Sequence, residues 1–257
     1  MTEQSFERPA PGAPDFRYEE HQSVDSTNTL CFDRARAGHS GRLWVRADMQ
    51  VSGRGRRGRD WSSPVGNLFA SLLLVDQEPA ERIGELPLVA AVALAEAVDK
   101  ACGTHQLVSL KWPNDLLIDG AKLSGILLEA EQLTNGRRAV VLGFGVNCVA
   151  HPPLTAYRAT DLRSLGFEVG ADRLYESLAA AMAEKLEAWR VPGGFSDIRA
   201  QWLARSAHLG RQITVRYGQE EITGIFADLD ERGHLVLKED NGRERTIYAG
   251  DVFLPDK

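Results

Sequence analysis

Seven consecutive residues, Gly53-Arg54-Gly55-Arg56-Arg57-Gly58-Arg59, carry four guanidinium groups and three glycines. Such a segment has no apolar side chain to bury, so the fold must keep it as a loop between the strands expected over 43–49 and 67–75. Glycine lets backbone N–H groups approach a ligand and adopt positive φ, and arginine presents a planar fork of donors that stays charged at physiological pH. Phosphate is the natural guest. The alternative is a solvated basic loop, such as an arginine-rich tether for nucleic acid. The whole chain weighs against the tether, because 30 basic and 36 acidic residues give a formal net charge of −6. A protein that holds a polyanionic duplex normally shows the opposite balance, so local positive charge here points to a small phosphorylated ligand.

The 257 residues are 43% hydrophobic, enough for one large domain or one domain with a small appendage. The apolar stretches are too short to span a bilayer, and the N-terminus has neither a basic start nor an apolar signal core, so a cytoplasmic protein without membrane partners is expected. Cys31, Cys102 and Cys148 are far apart and odd in number, which suggests reduced cysteines and no metal or redox site. The six histidines lack metal-ligand spacing, and His151 and His208 read as surface residues.

The order of elements predicts an α+β fold. Residues 1–16, with Pro9, Pro11, Gly12 and Pro14, read as a disordered leader. A short helix follows Ser26 and stops at Gly38. The nearly continuous apolar run 67–75 suits a buried strand, and 85–101, apolar on almost every side, a deeply packed helix. Strands over 107–112, 116–118, 123–131 and 140–146 form a meander with turns at Asp119-Gly120 and Asn135-Gly136. A surface loop is expected over 148–160. Leu174, Leu178, Met182, Leu186 and Trp189 make the stripe of a long helix over 172–190, and a second helix carries Ile198, Trp202 and Leu203. From Arg211 short alternating strands predict a small β-barrel, which divides the chain into a body over 17–208 and an appendage over 209–257.

Lys111-Trp112-Pro113-Asn114-Asp115 ends one expected strand, and Lys122-Leu123-Ser124-Gly125-Ile126-Leu127 begins another. Singly these read as a strand-end turn, a surface lysine and a strand glycine. Together with Val24-Asp25-Ser26-Thr27-Asn28, Gln50, the arginine loop, Trp61-Ser62-Ser63-Pro64, Gly66-Asn67-Leu68, Gly143-Phe144-Gly145-Val146-Asn147 and a terminal Gly250-Asp251-Val252, the chain resembles the biotin protein ligases over nearly its whole length from Val24. One departure is Val51-Ser52 before Gly53, where a threonine or glutamine and an alanine are more usual.

The resemblance implies a class II synthetase-like catalytic domain of the biotin/lipoate ligase type, a mixed sheet packed with helices, followed by an SH3-like barrel. It implies ATP-dependent formation of biotinyl-adenylate with release of pyrophosphate, then transfer of biotin to a lysine of a biotin carboxyl carrier domain of acetyl-CoA carboxylase or a related carboxylase. It carries over Lys122 and Arg56 as the catalytic cations. For biotin it implies Ser26, Thr27, Asn28, Gln50, Gly53, Arg54, Arg56, Lys122, Gly125, Leu127 and Gly143, with Ser26, Thr27 and Gln50 toward the ureido ring. For ATP and the adenylate it implies Arg56, Arg57, Arg59, Trp61, Lys111, Asn114, Lys122, Gly145 and Asn147, with Trp61 near the adenine and Gly143 and Gly145 allowing tight packing against the ligand. Asp115 either orients these groups, helps receive the acceptor amine's proton, or is structural. Mg²⁺ is expected with the nucleotide and no protein metal cage. About twenty residues precede the catalytic body, too few for a winged helix, so the monofunctional form without nucleic-acid partners is expected. The resemblance also allows a homodimer.

Two rival readings remain at this stage. A lipoate or octanoate ligase or transferase shares the catalytic fold, and a non-catalytic sensor could bind biotinyl-adenylate and regulate by association.

Overall fold

The computed structural model describes residues 7–76, 79–134, 136–153, 157–217 and 220–254. The chain runs through β1 (Arg8–Ala10), β2 (Ala13–Val24), α1 (Thr27–Arg36), β3 (Leu43–Gln50), β4 (Leu68–Val75), α2 (Leu86–Cys102), β5 (Ser109–Lys111), β6 (Asp115–Ile118), β7 (Ala121–Gln132) and β8 (Arg138–Val146). It continues with α3 (Ala171–Arg190), α4 (Gly194–Ala204), β9 (Gln212–Tyr217), β10 (Glu220–Leu229), β11 (Leu235–Lys238), β12 (Glu244–Ile247) and β13 (Asp251–Phe253).

β1 to β8 form one sheet in the order β1-β2-β3-β4-β8-β7-β6-β5. The β2–β3 pair is parallel, joined through α1, and the other described pairs are antiparallel. Their registers gather several strand ends at one place. Val24 pairs with Gln50, Leu68 with Val146 and Ser124 with Val146, so the chain leaves β2, β3 and β8 and enters β4 and β7 at the same end of the sheet. The arginine loop, the start of α1 and the turn between β5 and β6 all lie there.

Residues that pair across strands share a face. One face stacks Leu43, Val45, Leu73, Val75 and Val141 under Cys31, Phe32 and Ala35 of α1. The opposite face carries Trp44, Leu72, Leu142 and Phe144 into the main core with α2 and α3. Burial on both sides explains why β4 is apolar without alternation. α2 is buried on nearly all sides between the sheet, α3 and α4, and ends at Gly103, whose φ of 67° receives the last turn.

The first sixteen residues need correction. Residues 1–6 lie outside the described residues, whereas β1 and β2 form a hairpin about Gly12, with Ala10, Ala13 and Phe16 buried. Pro9 sits on the edge strand, where a missing N–H forfeits no interior ladder bond, and Phe16 and Ala13 gain apolar burial in the main core, where Tyr18 of the same strand stacks on Tyr175 of α3. The expected turn at Asp119-Gly120 is present with φ of 49° and 74°, while Asn135 of the second turn lies outside the described residues.

β9 to β13 form a five-stranded antiparallel sheet in the order β12-β11-β10-β9-β13. The terminal strand β13 was not separated from its neighbours in the sequence. The sheet seats on the body through Trp112 Nε1, which donates to Gly233 O at 3.1 Å, and Arg199, whose guanidinium donates to Leu229 O. His208 lies at this junction and is buried, contrary to the surface reading. Burial, with Lys111 and Arg211 acting in the same direction, pulls its imidazole from 6.5 down to about 4. Below 6.5 the unfolded chain therefore binds a proton that the folded chain refuses, and stability falls as pH drops toward 4. His208→Gln should flatten the stability profile across that window in urea melts at stepped pH, and an unchanged slope would count against the assignment.

Candidate active site

The site begins where β2 passes into α1. Ser26, Thr27 and Asn28 are buried polar residues at a helix start, and Ser26 offers no side-chain cap. Thr27 donates its backbone N–H and its hydroxyl to Gln50 Oε1 at 2.9 and 3.0 Å. Gln50 Nε2 in turn donates to Ser63 Oγ at 3.1 Å. Ser71 Oγ lies 2.7 Å from Thr27 Oγ1 and 2.6 Å from Asn28 Oδ1. Asn28 Nδ2 donates to Glu129 Oε2 at 2.7 Å. Thr27, Asn28, Gln50 and Ser71 are thus held by one another and by Ser63 and Glu129, which avoids the cost of unmade bonds.

The glycines of this wall make room for protein side chains. A Cβ on Gly143 would stand 2.3 Å from Asn28 Oδ1, and one on Gly145 would stand 2.5 Å from the Trp61 indole. A Cβ on Gly125 would meet the same indole, 3.1 Å from Trp61 Cζ3, and would stand 3.3 Å from Lys122 Nζ. The close approach expected for a ligand at Gly143 and Gly145 is made here by Asn28 and Trp61. The Trp61 indole N–H is buried and has no partner among the described residues. Gly143→Ala should therefore cost about 1–3 kcal/mol by overpacking and unseat Asn28. A urea melt equal to that of the wild type would show that Asn28 yields freely.

The loop that carries the arginines is a small folded unit. Gly55 N–H donates to Arg59 O, Trp61 N–H donates to Gly53 O, and Arg54 and Asp60 bridge across it. Arg57 and Gly58 take positive φ at its tip, 59° and 69°. The four guanidinium groups do not face one another unpartnered. Arg54 grips Glu129 at 2.9 and 3.2 Å and Thr29 Oγ1 at 2.9 Å. Arg56 donates to Asn114 Oδ1 and Gly250 O, each at 3.2 Å. Arg57 and Arg59 reach Asp251 on β13 at 3.1 and 3.2 Å.

Lys122 stands at the centre. Its backbone N–H donates to Arg158 O and its carbonyl accepts from Thr160, so the residue is fixed from both sides. Its Nζ is 2.7 Å from Asp115 Oδ1 and lies over the rings of Trp61 and Tyr157, 5.4 and 5.1 Å from their centroids. Lys111 lies beside it, with its ammonium 5.7 Å from the Phe253 ring centroid. Burial pulls the Lys111 ammonium below the ordinary lysine value, opposed by Asp115 and reinforced by Lys122. Burial also lowers Arg56, against the pull of Asp251 and Asp115. A cation that has lost part of its hydration attracts an entering anion more strongly than one in water.

Most of the residues expected from the sequence line one cavity: Ser26, Thr27, Asn28, Gln50, Arg54, Arg56, Arg59, Trp61, Lys111, Asn114, Lys122, Gly125, Leu127, Gly143 and Gly145. Three do not. Gly53 and Asn147 line a neighbouring cavity that shares Arg54, Trp61, Lys122 and Tyr157 with the first, and Arg57, itself exposed, reaches Asp251 from outside the cavity. Asn147 Nδ2 donates to Thr160 O at 3.0 Å. Glu129, Tyr157, Asp251 and Phe253 were not singled out as site residues, and the structure adds all four around the same groups. Asp251 alone lay within a quoted motif.

The profile of the Biotin/lipoate A/B protein ligase family matches residues 20–147, and that of the Biotin protein ligase C terminal domain matches residues 208–254. A biotin–[acetyl-CoA-carboxylase] ligase from Paracoccus denitrificans is 41% identical over 90% of this chain and 98% of its own length. The chain belongs to the biotin protein ligase family. The bifunctional ligase/repressor BirA of Escherichia coli is 33% identical over 90% of this chain and 72% of its own length. Among solved structures, the biotin protein ligase from Aquifex aeolicus in complex with biotin and ATP superposes with a TM-score of 0.78, at 28% identity over 92% of this chain and 97% of that one. The ligase assignment, the mixed sheet with helices and the C-terminal antiparallel sheet all agree with these relatives. No described helix is long and apolar enough to cross a membrane.

Proposed function

We propose that the chain activates biotin with ATP to biotinyl-adenylate, releasing pyrophosphate, and then transfers the biotinyl group to one lysine of a biotin carboxyl carrier domain in the cytoplasm. The observation that carries this reading is the meeting of an uncharged polar set, Ser26, Thr27 and Gln50, with three cations, Lys111, Lys122 and Arg56, in one cavity. A ureido ring needs both donors and acceptors, whereas an acyl chain needs neither. In the first step a carboxylate oxygen bonds to the α-phosphorus and the bond to the pyrophosphate oxygen breaks. Both reactants are anions, so Lys122 and Arg56 bring them together and stabilise charge on the reacting phosphoryl group, while Lys111 serves the departing phosphates. In the second step the acceptor amine attacks the acyl carbon, AMP leaves, and the amine's proton is lost.

No group of three or more His, Cys, Asp or Glu that could hold a metal occurs among the described residues, and the carboxylates nearest the cations, Asp115 and Asp251, are engaged by Lys122 and the arginines. Mg²⁺ is proposed to enter with the nucleotide, whose phosphate charge it would screen. The acceptor fits acetyl-CoA carboxylase or a related biotin-dependent carboxylase, and a homodimer is compatible with the family. Incubation with ATP, a carrier domain, and biotin, lipoate or octanoate in separate reactions tests the reading. One biotinyl adduct on one lysine, with more than one turnover per enzyme, is the expected mass spectrum. Labelling by lipoate or octanoate alone would overturn the substrate, and no turnover would leave a sensor.

A further inference from the structure

Asp251 gathers three arginines from the other end of the chain. Its carboxylate is 3.6 Å from Arg56, 3.1 Å from Arg57 and 3.2 Å from Arg59. The preceding carbonyl, Gly250 O, takes both terminal nitrogens of Arg56. β13 is built to present this group: Val252 is buried and holds the strand in the C-terminal sheet, and Asp251 and Phe253 line the cavity. One carboxylate among three guanidinium groups leaves two positive charges unbalanced. The arrangement suits an anion of higher charge than a carboxylate, and Asp251 already occupies the donors that such an anion would use.

Resting on the adenylation reading above, we propose that Asp251 is a positioning residue that competes with the β- and γ-phosphates for the loop arginines. Before nucleotide binds, Asp251 and Gly250 hold the loop against the C-terminal sheet. A triphosphate must share or take the Arg57 and Arg59 donors, and its negative charge is repelled by the nearby carboxylate. The same competition favours departure of pyrophosphate, because Asp251 re-engages the arginines that it leaves. The C-terminal sheet thereby sets nucleotide affinity through charge, beyond its packing on the body.

The test uses the full chain and inorganic pyrophosphate as the anion. Asp251→Asn keeps the shape and removes the charge. It should bind pyrophosphate about tenfold more tightly by calorimetry, with a steeper loss on added salt. The ATP KM should fall while product inhibition by pyrophosphate strengthens. Without pyrophosphate, trypsin should cut the variant faster at Arg57 and Arg59, and pyrophosphate should restore protection. Asp251→Glu, which keeps the charge, should return both readouts toward wild type. Equal or weaker pyrophosphate binding by Asp251→Asn, or unchanged trypsin cleavage, overturns the competition. Failure of the wild type to bind ATP or pyrophosphate overturns the adenylation reading and the competition with it.

Discussion

Lys122→Ala should lower pyrophosphate release by at least about 10²–10³-fold, the loss typical when a positioned electrostatic donor is removed. In the proposed first step both anions converge on Lys122, whose ammonium is held by Asp115 at 2.7 Å and lies over two aromatic rings. The variant should still fold, because the strand is held by its backbone bonds to Arg158 and Thr160. Some stability should be lost, since Asp115 is left mostly buried without its cation. Lys122→Gln should fail equally, as it keeps length and loses charge. Burst measurements of pyrophosphate, with circular dichroism to confirm folding, check the assignment. Undiminished release would remove Lys122 from the first half-reaction.

Arg56→Gly should convert a contained intermediate into a leaking one. Arg56 ties the loop to Asn114 and to Gly250 O, and it faces the cavity that holds Lys122. Loss of one charge-assisted contact to the adenylate, about 1.5–3 kcal/mol, corresponds to roughly ten- to hundredfold faster release if expressed in the off-rate. Biotinyl-adenylate is a mixed anhydride that acylates neutral amines, and lysine, with a reference pKa of about 10.4, offers more of them as pH rises. Bystander proteins should therefore be biotinylated by the variant, increasingly toward alkaline pH. A biotin blot of an unrelated protein, with adenylate formation followed in parallel, reads this out. Adenylate made at the normal rate without added bystander labelling would confine Arg56 to binding and chemistry.

The glycine-arginine segment, the Lys111–Asp115 turn and the Lys122–Leu127 strand were legible because each is a short run whose composition dictates its local conformation. So were α2 and α3, whose apolar patterns persist over several turns. The β1–β2 hairpin was hidden because three prolines read as disorder. An edge strand forgives proline, and whether a strand lies at an edge is decided by the order of the sheet.

Sequence alone marked the residues proposed to carry chemistry: the arginines, the two lysines, the polar start of α1 and the glycines of β7 and β8. Tertiary structure decided what each one faces. Gly143 and Gly145 are small because Asn28 and Trp61 lie against them, and Arg54 answers to Glu129, 75 residues away. Arg57 and Arg59 answer to Asp251, beyond the whole of the catalytic body. The physical reason is a difference of range. Backbone preference is set by neighbours a few residues along the chain, whereas the Coulomb and steric partners of a side chain are set by distance in space, which sheet register and the seating of the C-terminal sheet establish.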